Sequence, residues 1–89
     1  MLQQHVEIIN RLGLHARASA KLSQLAGSYT CEVWLTRNQQ RVNAKSIMGV
    51  MMLAASQGTR ITIETDGSDE VAALQALVTL VAERFGESD

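Results

Sequence analysis

The amino-acid sequence predicts an α+β fold, one antiparallel sheet of four strands covered by three helices on a single face and open to water on the other. Three observations predict it. Apolar and polar residues alternate within residues 3–9, 29–37 and 59–65, which is the two-residue period of a half-buried strand. Between these stretches lie segments with apolar residues three and four apart, the period of a helix with one buried stripe. The connections are short, and no repeat, linker or low-complexity segment interrupts the order β-α-β-β-α-β-α, so residues 1–89 are expected to form one domain.

Residues 3–9 place Gln4, Val6 and Ile8 on one side and His5, Glu7 and Ile9 on the other, with Val6 and Ile8 expected inward. Residues 10–13 read as a loop. A helix is expected from 16 to about 26, with Ala18, Leu22, Leu25 and Ala26 buried and Gly27 as its stop. In residues 29–37, Cys31, Val33 and Leu35 share the inward face, while Thr30, Glu32, Trp34 and Thr36 share the open one. On that face Trp34 is expected to pack across strands. Asn38-Gln39-Gln40 turns the chain into a short strand, 41–43. Ser46 precedes Ile47-Met48-Gly49-Val50-Met51-Met52-Leu53-Ala54-Ala55 and suits an N-cap, because its hydroxyl can accept from a free N–H of the first turn. Gly58 closes that unit. Residues 59–65 turn Ile61 and Ile63 inward. Gly67 marks a turn, and Asp69 or Ser68 caps a last helix with Val71, Leu74, Val78, Val81 and Phe85 as its core stripe.

The 89 residues are 46% apolar and 19% charged with a net charge of −1, an ordinary globular composition. That balance leaves no footprint for nucleic acid or for an anionic membrane surface. A small RNA-binding module would carry exposed aromatics among basic residues, and Trp34 alone does not supply them. A single cysteine, Cys31, cannot form an internal disulfide. No charged segment followed by an apolar run opens the chain, so the cytoplasm is the expected compartment. No apolar run reaches the length of a membrane span.

The candidate chemistry lies in Gly13-Leu14-His15-Ala16-Arg17-Ala18-Ser19-Ala20, where the first helix begins. An imidazole there stands beside backbone N–H groups that have no partner within the helix. Those groups and the helix dipole favour an anion. Arg17 adds a permanent charge and a planar fork of donors suited to a phosphate or carboxylate. Taken alone this is a weak motif, and His15 is also compatible with a cap-like residue that only satisfies the helix end. No serine, cysteine or second histidine pairs with it as a hydrolytic triad requires. His5, His15 and Cys31 lack metal-ligand spacing, so no metal and no cofactor are expected. Phosphoryl transfer onto the imidazole itself needs only one histidine and an anion site.

Gly13-Leu14-His15-Ala16-Arg17-Ala18, together with the later Asn43-Ala44-Lys45-Ser46-Ile47-Met48-Gly49 and the Asp66-Gly67 turn, resembles the HPr family, the phosphocarrier proteins of the phosphoenolpyruvate-dependent phosphotransferase system. The resemblance covers essentially the whole chain. It implies an open-faced β-sandwich with sheet order 1-4-2-3, and the strand order comes from the resemblance alone. It also implies that His15 accepts a phosphoryl group from phosphorylated enzyme I and passes it to enzyme II A-type acceptor domains. Ser46, on the same resemblance, is a site of regulatory phosphorylation by HPr kinase/phosphorylase. The family's more familiar motif has proline where this chain has Ala18. Proline would fix the first helical turn, whereas alanine keeps helix propensity and loses only that rigidity, so an intact carrier is expected. The alternative within the family is a regulatory or nitrogen-branch homologue without a role in sugar transport.

On this reading the positive helix end and Arg17 disfavour protonation of His15 and leave the ring neutral and nucleophilic. Arg17 and the N–H groups of Ala16 and Arg17 would then meet the phosphoryl oxygens. With Val50 and Leu53 turned inward, Ile47, Met48 and Met51 remain on the outer side of the short helix. Together with Ala20, Lys21 and Gln24 of the first helix they are expected to form an adaptable docking patch for successive partners. A transient carrier of this kind is expected to be a monomer.

Overall fold

The computed structural model describes residues 1–88, so the last residue of the expected domain, Asp89, lies outside the described residues. The chain runs β1 (Leu2–Glu7), α1 (Ala16–Gly27), β2 (Glu32–Arg37), β3 (Gln40–Asn43), α2 (Ile47–Met52), β4 (Arg60–Asp66), α3 (Glu70–Ala82) and a 3-10 turn (Arg84–Gly86). The strands form one antiparallel sheet in the order β1-β4-β2-β3, as the family resemblance implied. Strand β4 aligns Ile61 with Val6 of β1 and Ile63 with Leu35 of β2, and Leu35 in turn aligns with Val42 of β3.

The two-residue periods predict the faces correctly because strand side chains alternate strictly. Val33, Leu35, Ile61 and Ile63 are buried on one face, with Cys31 just ahead of β2. Helices α1 and α3 cover that face with Ala18, Leu22 and Ala26 and with Ala73, Leu77 and Val81, while α2 adds Val50 and is followed by buried Leu53. Burial of each large aliphatic side chain contributes about 1.5–3 kcal/mol. The other face stays polar. There His5 Nδ1 lies 2.8 Å from Thr62 Oγ1. The Arg41 guanidinium stacks 4.2 Å over the Trp34 ring and donates to Glu64 at 2.9 Å, so Trp34 packs across strands as expected.

Several boundaries differ from expectation. Helix α1 does stop at Gly27, its last residue, and the Ser28 hydroxyl donates to the Leu25 carbonyl at 2.6 Å just beyond it. The buried side of α1 takes in Ser19 and Ser23, and Leu25 is only half-buried. Strand β2 starts at Glu32 because the N–H groups of Thr30 and Cys31 both donate to the Asp69 carboxylate at 2.9 Å. Asp69 therefore occupies the position before α3 without capping it. The hairpin needs no glycine, since Asn38 takes a φ of 56°, which asparagine tolerates. Helix α2 ends at Met52, and Ala54 turns the chain with a φ of 51°. Arg37 reaches across from β2 and donates to the carbonyls of Leu53 at 2.8 Å and Ala54 at 3.2 Å.

The core stripe of α3 also differs. It is Ala73, Leu77 and Val81, four residues apart, with Leu74 and Val78 half-buried on its flank. Val71, expected inward, is 57% exposed. Phe85 is buried as expected, but it reaches the core after the helix, through positive φ values of 58° at Arg84 and 55° at Phe85.

Candidate functional site

The approach to His15 is built by Gly13, whose φ is 66° and whose absent Cβ would lie 2.6 Å from the Ala55 carbonyl oxygen. Any side chain there would push the loop off the chain after α2. The Leu14 N–H donates to that same carbonyl at 2.9 Å, and Leu14 is buried. His15 follows as the N-cap of α1 in extended backbone, with its carbonyl accepting from Ser19 N–H at 2.9 Å. Its side chain makes no cap bond. The ring is thus free of the helix end, while the first N–H groups of α1, at Ala16 and Arg17, are of the kind left without helical partners.

The ring instead meets a carboxylate. His15 Nε2 lies 2.5 Å from Glu87 Oε2. The other oxygen, Oε1, accepts from Asn10 Nδ2 at 3.0 Å, and the same amide nitrogen donates to the Gly13 carbonyl at 2.8 Å. Asn10 is fully buried. Lys21 Nζ donates to the Phe85 carbonyl at 2.6 Å and pins the segment carrying Glu87 against α1. The bond from His15, reinforced by the one from Asn10, holds the Glu87 carboxyl below the usual carboxylate range. Glu87 is therefore ionised near neutral pH and can only accept, which makes Nε2 the donor and leaves Nδ1 as the ring's other nitrogen.

An open cleft of about 560 Å³ lies here, lined by Leu12, His15, Ala16, Arg17, Glu87 and Ser88. Ala16 and Arg17 are exposed, and among the described residues the Arg17 guanidinium makes no hydrogen bond or ion pair. His15, Ala16 and Arg17 are thus brought to one cleft. Among the described residues no three His, Cys, Asp or Glu side chains gather as a metal site would need, and no helix is long and apolar enough to cross a membrane.

Ser46 is the N-cap of α2, as its sequence position predicts, with Oγ accepting from Gly49 N–H at 3.1 Å. Val50 and Leu53 are buried; Ile47, Met48 and Met51 are exposed, Met48 to 70%, and so is Met52. Helix α1 packs beside α2, and the Ser23 hydroxyl donates to the Lys45 carbonyl just ahead of α2 at 3.4 Å. On α1, Lys21 and Gln24 are exposed and Ala20 is half-buried.

A family model described as "PTS HPr component phosphorylation site" matches residues 2–83. The chain belongs to the HPr family. Phosphocarrier protein HPr of Cupriavidus necator is 61% identical over 89 residues and covers all of both chains. Among solved structures, HPr-C-His from Thermoanaerobacter tengcongensis superposes with a TM-score of 0.97 at 42% identity, covering all of both chains. An HPr dimer from the same organism gives 0.79 at 42% identity over 98% of this chain and all of that one. In outline, then, this is a bacterial HPr phosphocarrier of the phosphotransferase system. Relative to the family's more familiar motif, Ala18 sits fully buried in the first turn of α1.

Sequence reasoning missed Asn10, Glu87 and Met52. It assigned His15 only cationic neighbours, whereas an ionised carboxylate faces the ring. Glu87 lies 72 residues from His15 in the chain, and no local pattern links them.

Proposed function

We propose that His15 accepts a phosphoryl group on Nδ1 from phosphorylated enzyme I and passes it to enzyme II A-type acceptor domains. The observation that carries this reading is the His15 ring held at the start of α1 with Nε2 engaged by Glu87, beside the exposed Arg17. A neutral ring donating from Nε2 keeps its lone pair on Nδ1. That pair forms the N–P bond while the bond from phosphorus to the donor breaks and its electrons return to the donor. Arg17 and the amides of Ala16 and Arg17 supply donors for the phosphoryl oxygens. Their stabilisation must stay moderate, because a carrier that holds its phosphate too tightly cannot release it. Incubation with phosphoenolpyruvate and enzyme I should label the wild type and leave His15→Ala unlabelled; equal labelling overturns the assignment.

Ile47, Met48 and Met51, with Ala20, Lys21 and Gln24, form the docking patch for these partners, and adaptable methionines suit a carrier that meets several in turn. In the same assay Met48→Asp should accept the label more slowly, and an unchanged rate removes the patch. Ser46 is phosphorylated by HPr kinase/phosphorylase. A phosphate at this helix start is electrostatically compatible with the fold, so its roughly −1.5 to −2 charges act at partner surfaces. Mass spectrometry after treatment with that kinase should find the added phosphate on Ser46, and an unmodified serine removes the claim. The carrier works as a monomer in the cytoplasm, a state that sedimentation at working concentration tests; a stable dimer contradicts it.

A further inference from the structure

We infer that Glu87, itself oriented by Asn10, is a positioning residue that selects the tautomer of His15 and meets the charge the ring acquires on phosphorylation. This deepens the reading of His15 as the acceptor and rests on it. The inference starts from a directional chain of hydrogen bonds. Asn10 Nδ2 is fixed as a donor because it bonds both the Gly13 carbonyl and Glu87 Oε1. The remaining oxygen of Glu87 then faces His15 Nε2 and can only accept. The buried end of the chain is Asn10, and the pair it feeds is shielded as well, with side-chain exposures of 28% for His15 and 16% for Glu87. The segment bearing Glu87 is held in place by the Lys21 bond to Phe85 and passes through positive φ at Arg84, Phe85 and Gly86. The other charged side chains facing this cluster, Arg17 and Lys21 on α1, are cations and donors only, so neither replaces the acceptor.

During transfer the Nδ1 lone pair forms the bond to phosphorus, the donor's bond to phosphorus breaks with its pair returning to the donor, and Nε2 keeps its proton. The ring therefore becomes positive without any proton moving. A carboxylate on Nε2–H stabilises that charge, as the orienting carboxylate does for the histidine of a hydrolytic triad. The reverse transfer to an acceptor passes through the same state.

The amide variant separates this role from mere support of the fold. Glutamine at position 87 has the shape of glutamate, so a structural role predicts that Glu87→Gln is milder than Glu87→Ala. The hydrogen-bond chain predicts the opposite. Asn10 must still donate, so the glutamine oxygen turns to Asn10 and its NH2 turns to Nε2. A donor facing Nε2 favours a lone pair there and a proton on Nδ1, the nitrogen that has to attack.

Long-range proton–nitrogen spectra of the His15 ring, at a pH where it is neutral, read the tautomer directly, with His5 on the open sheet face as an internal control. The wild type should carry the proton on Nε2, Glu87→Ala should give a mixture, and Glu87→Gln should move the proton to Nδ1. The rate constant for phosphoryl transfer from enzyme I should fall about tenfold in Glu87→Ala and about a hundredfold in Glu87→Gln. An unchanged tautomer in both variants, or Glu87→Gln faster than Glu87→Ala, overturns the inference. The spectra need no transfer partner, so a wild type that takes no phosphate overturns the acceptor assignment alone and leaves the ring spectra to decide the role of Glu87.

Discussion

Asp69 shows what one carboxylate can join. Its two oxygens accept from the N–H groups of Thr30 and Cys31, tying the entry to β2 to the start of α3. Those bonds, the one from Thr30 foremost, lower its pKa from 3.8 to about 2. A pKa lowered in the folded state means that the contribution is complete above the unfolded value and is lost as pH falls through the folded one. Stability should therefore drop between about pH 4 and 2 with a smaller slope in Asp69→Ala than in the wild type, measured by denaturant unfolding across that range; equal slopes contradict the linkage. Ser46, by contrast, does what its place in the sequence says, because an N-cap bond spans only three residues. The difference between the two is reach: Asp69 was legible as a helix-start residue, while its actual partners lie 38 and 39 residues away. Glu87 was illegible for the same reason.

At the scale of elements, alternation identified the inward face of every strand it was applied to, since a shift of one residue would expose the whole set. Helix ends and helix faces were less legible. The alanines after Met52 have helix propensity, yet Ala54 breaks from the helix with a positive φ, and Arg37 of β2 satisfies the carbonyls of Leu53 and Ala54, a contact that no local pattern announces. In α3 nearly every position is apolar, so periodicity alone does not select one stripe. The structure selects Ala73, Leu77 and Val81. Leu77→Ala should cost about 2–5 kcal/mol of unfolding free energy, the range for a truncated core leucine. Val71→Ala should change it by less than about 0.5 kcal/mol, as expected for a surface site. Denaturant titration of the two variants checks this, and a comparable loss in both contradicts the stripe.

Across the whole molecule, the sheet and the helices that cover it hold a loop, a helix start and a later strap at one cleft. The glycine at 13 brings the loop against the chain after α2, α1 begins at His15, and the segment beyond α3 delivers Glu87. The first two contributions were legible because they are contiguous in Gly13-Leu14-His15-Ala16-Arg17; the third depends on tertiary closure. An open cleft with an exposed guanidinium suits a phosphoryl group that stays only until the next partner arrives. That claim is tested most directly by isolating the protein phosphorylated on His15 and mixing it with an enzyme II A-type domain in a single-turnover chase. Label should leave His15 and appear on the acceptor in equal amount and faster than it is lost to water. Release as inorganic phosphate, or label that stays on His15, would contradict a carrier role.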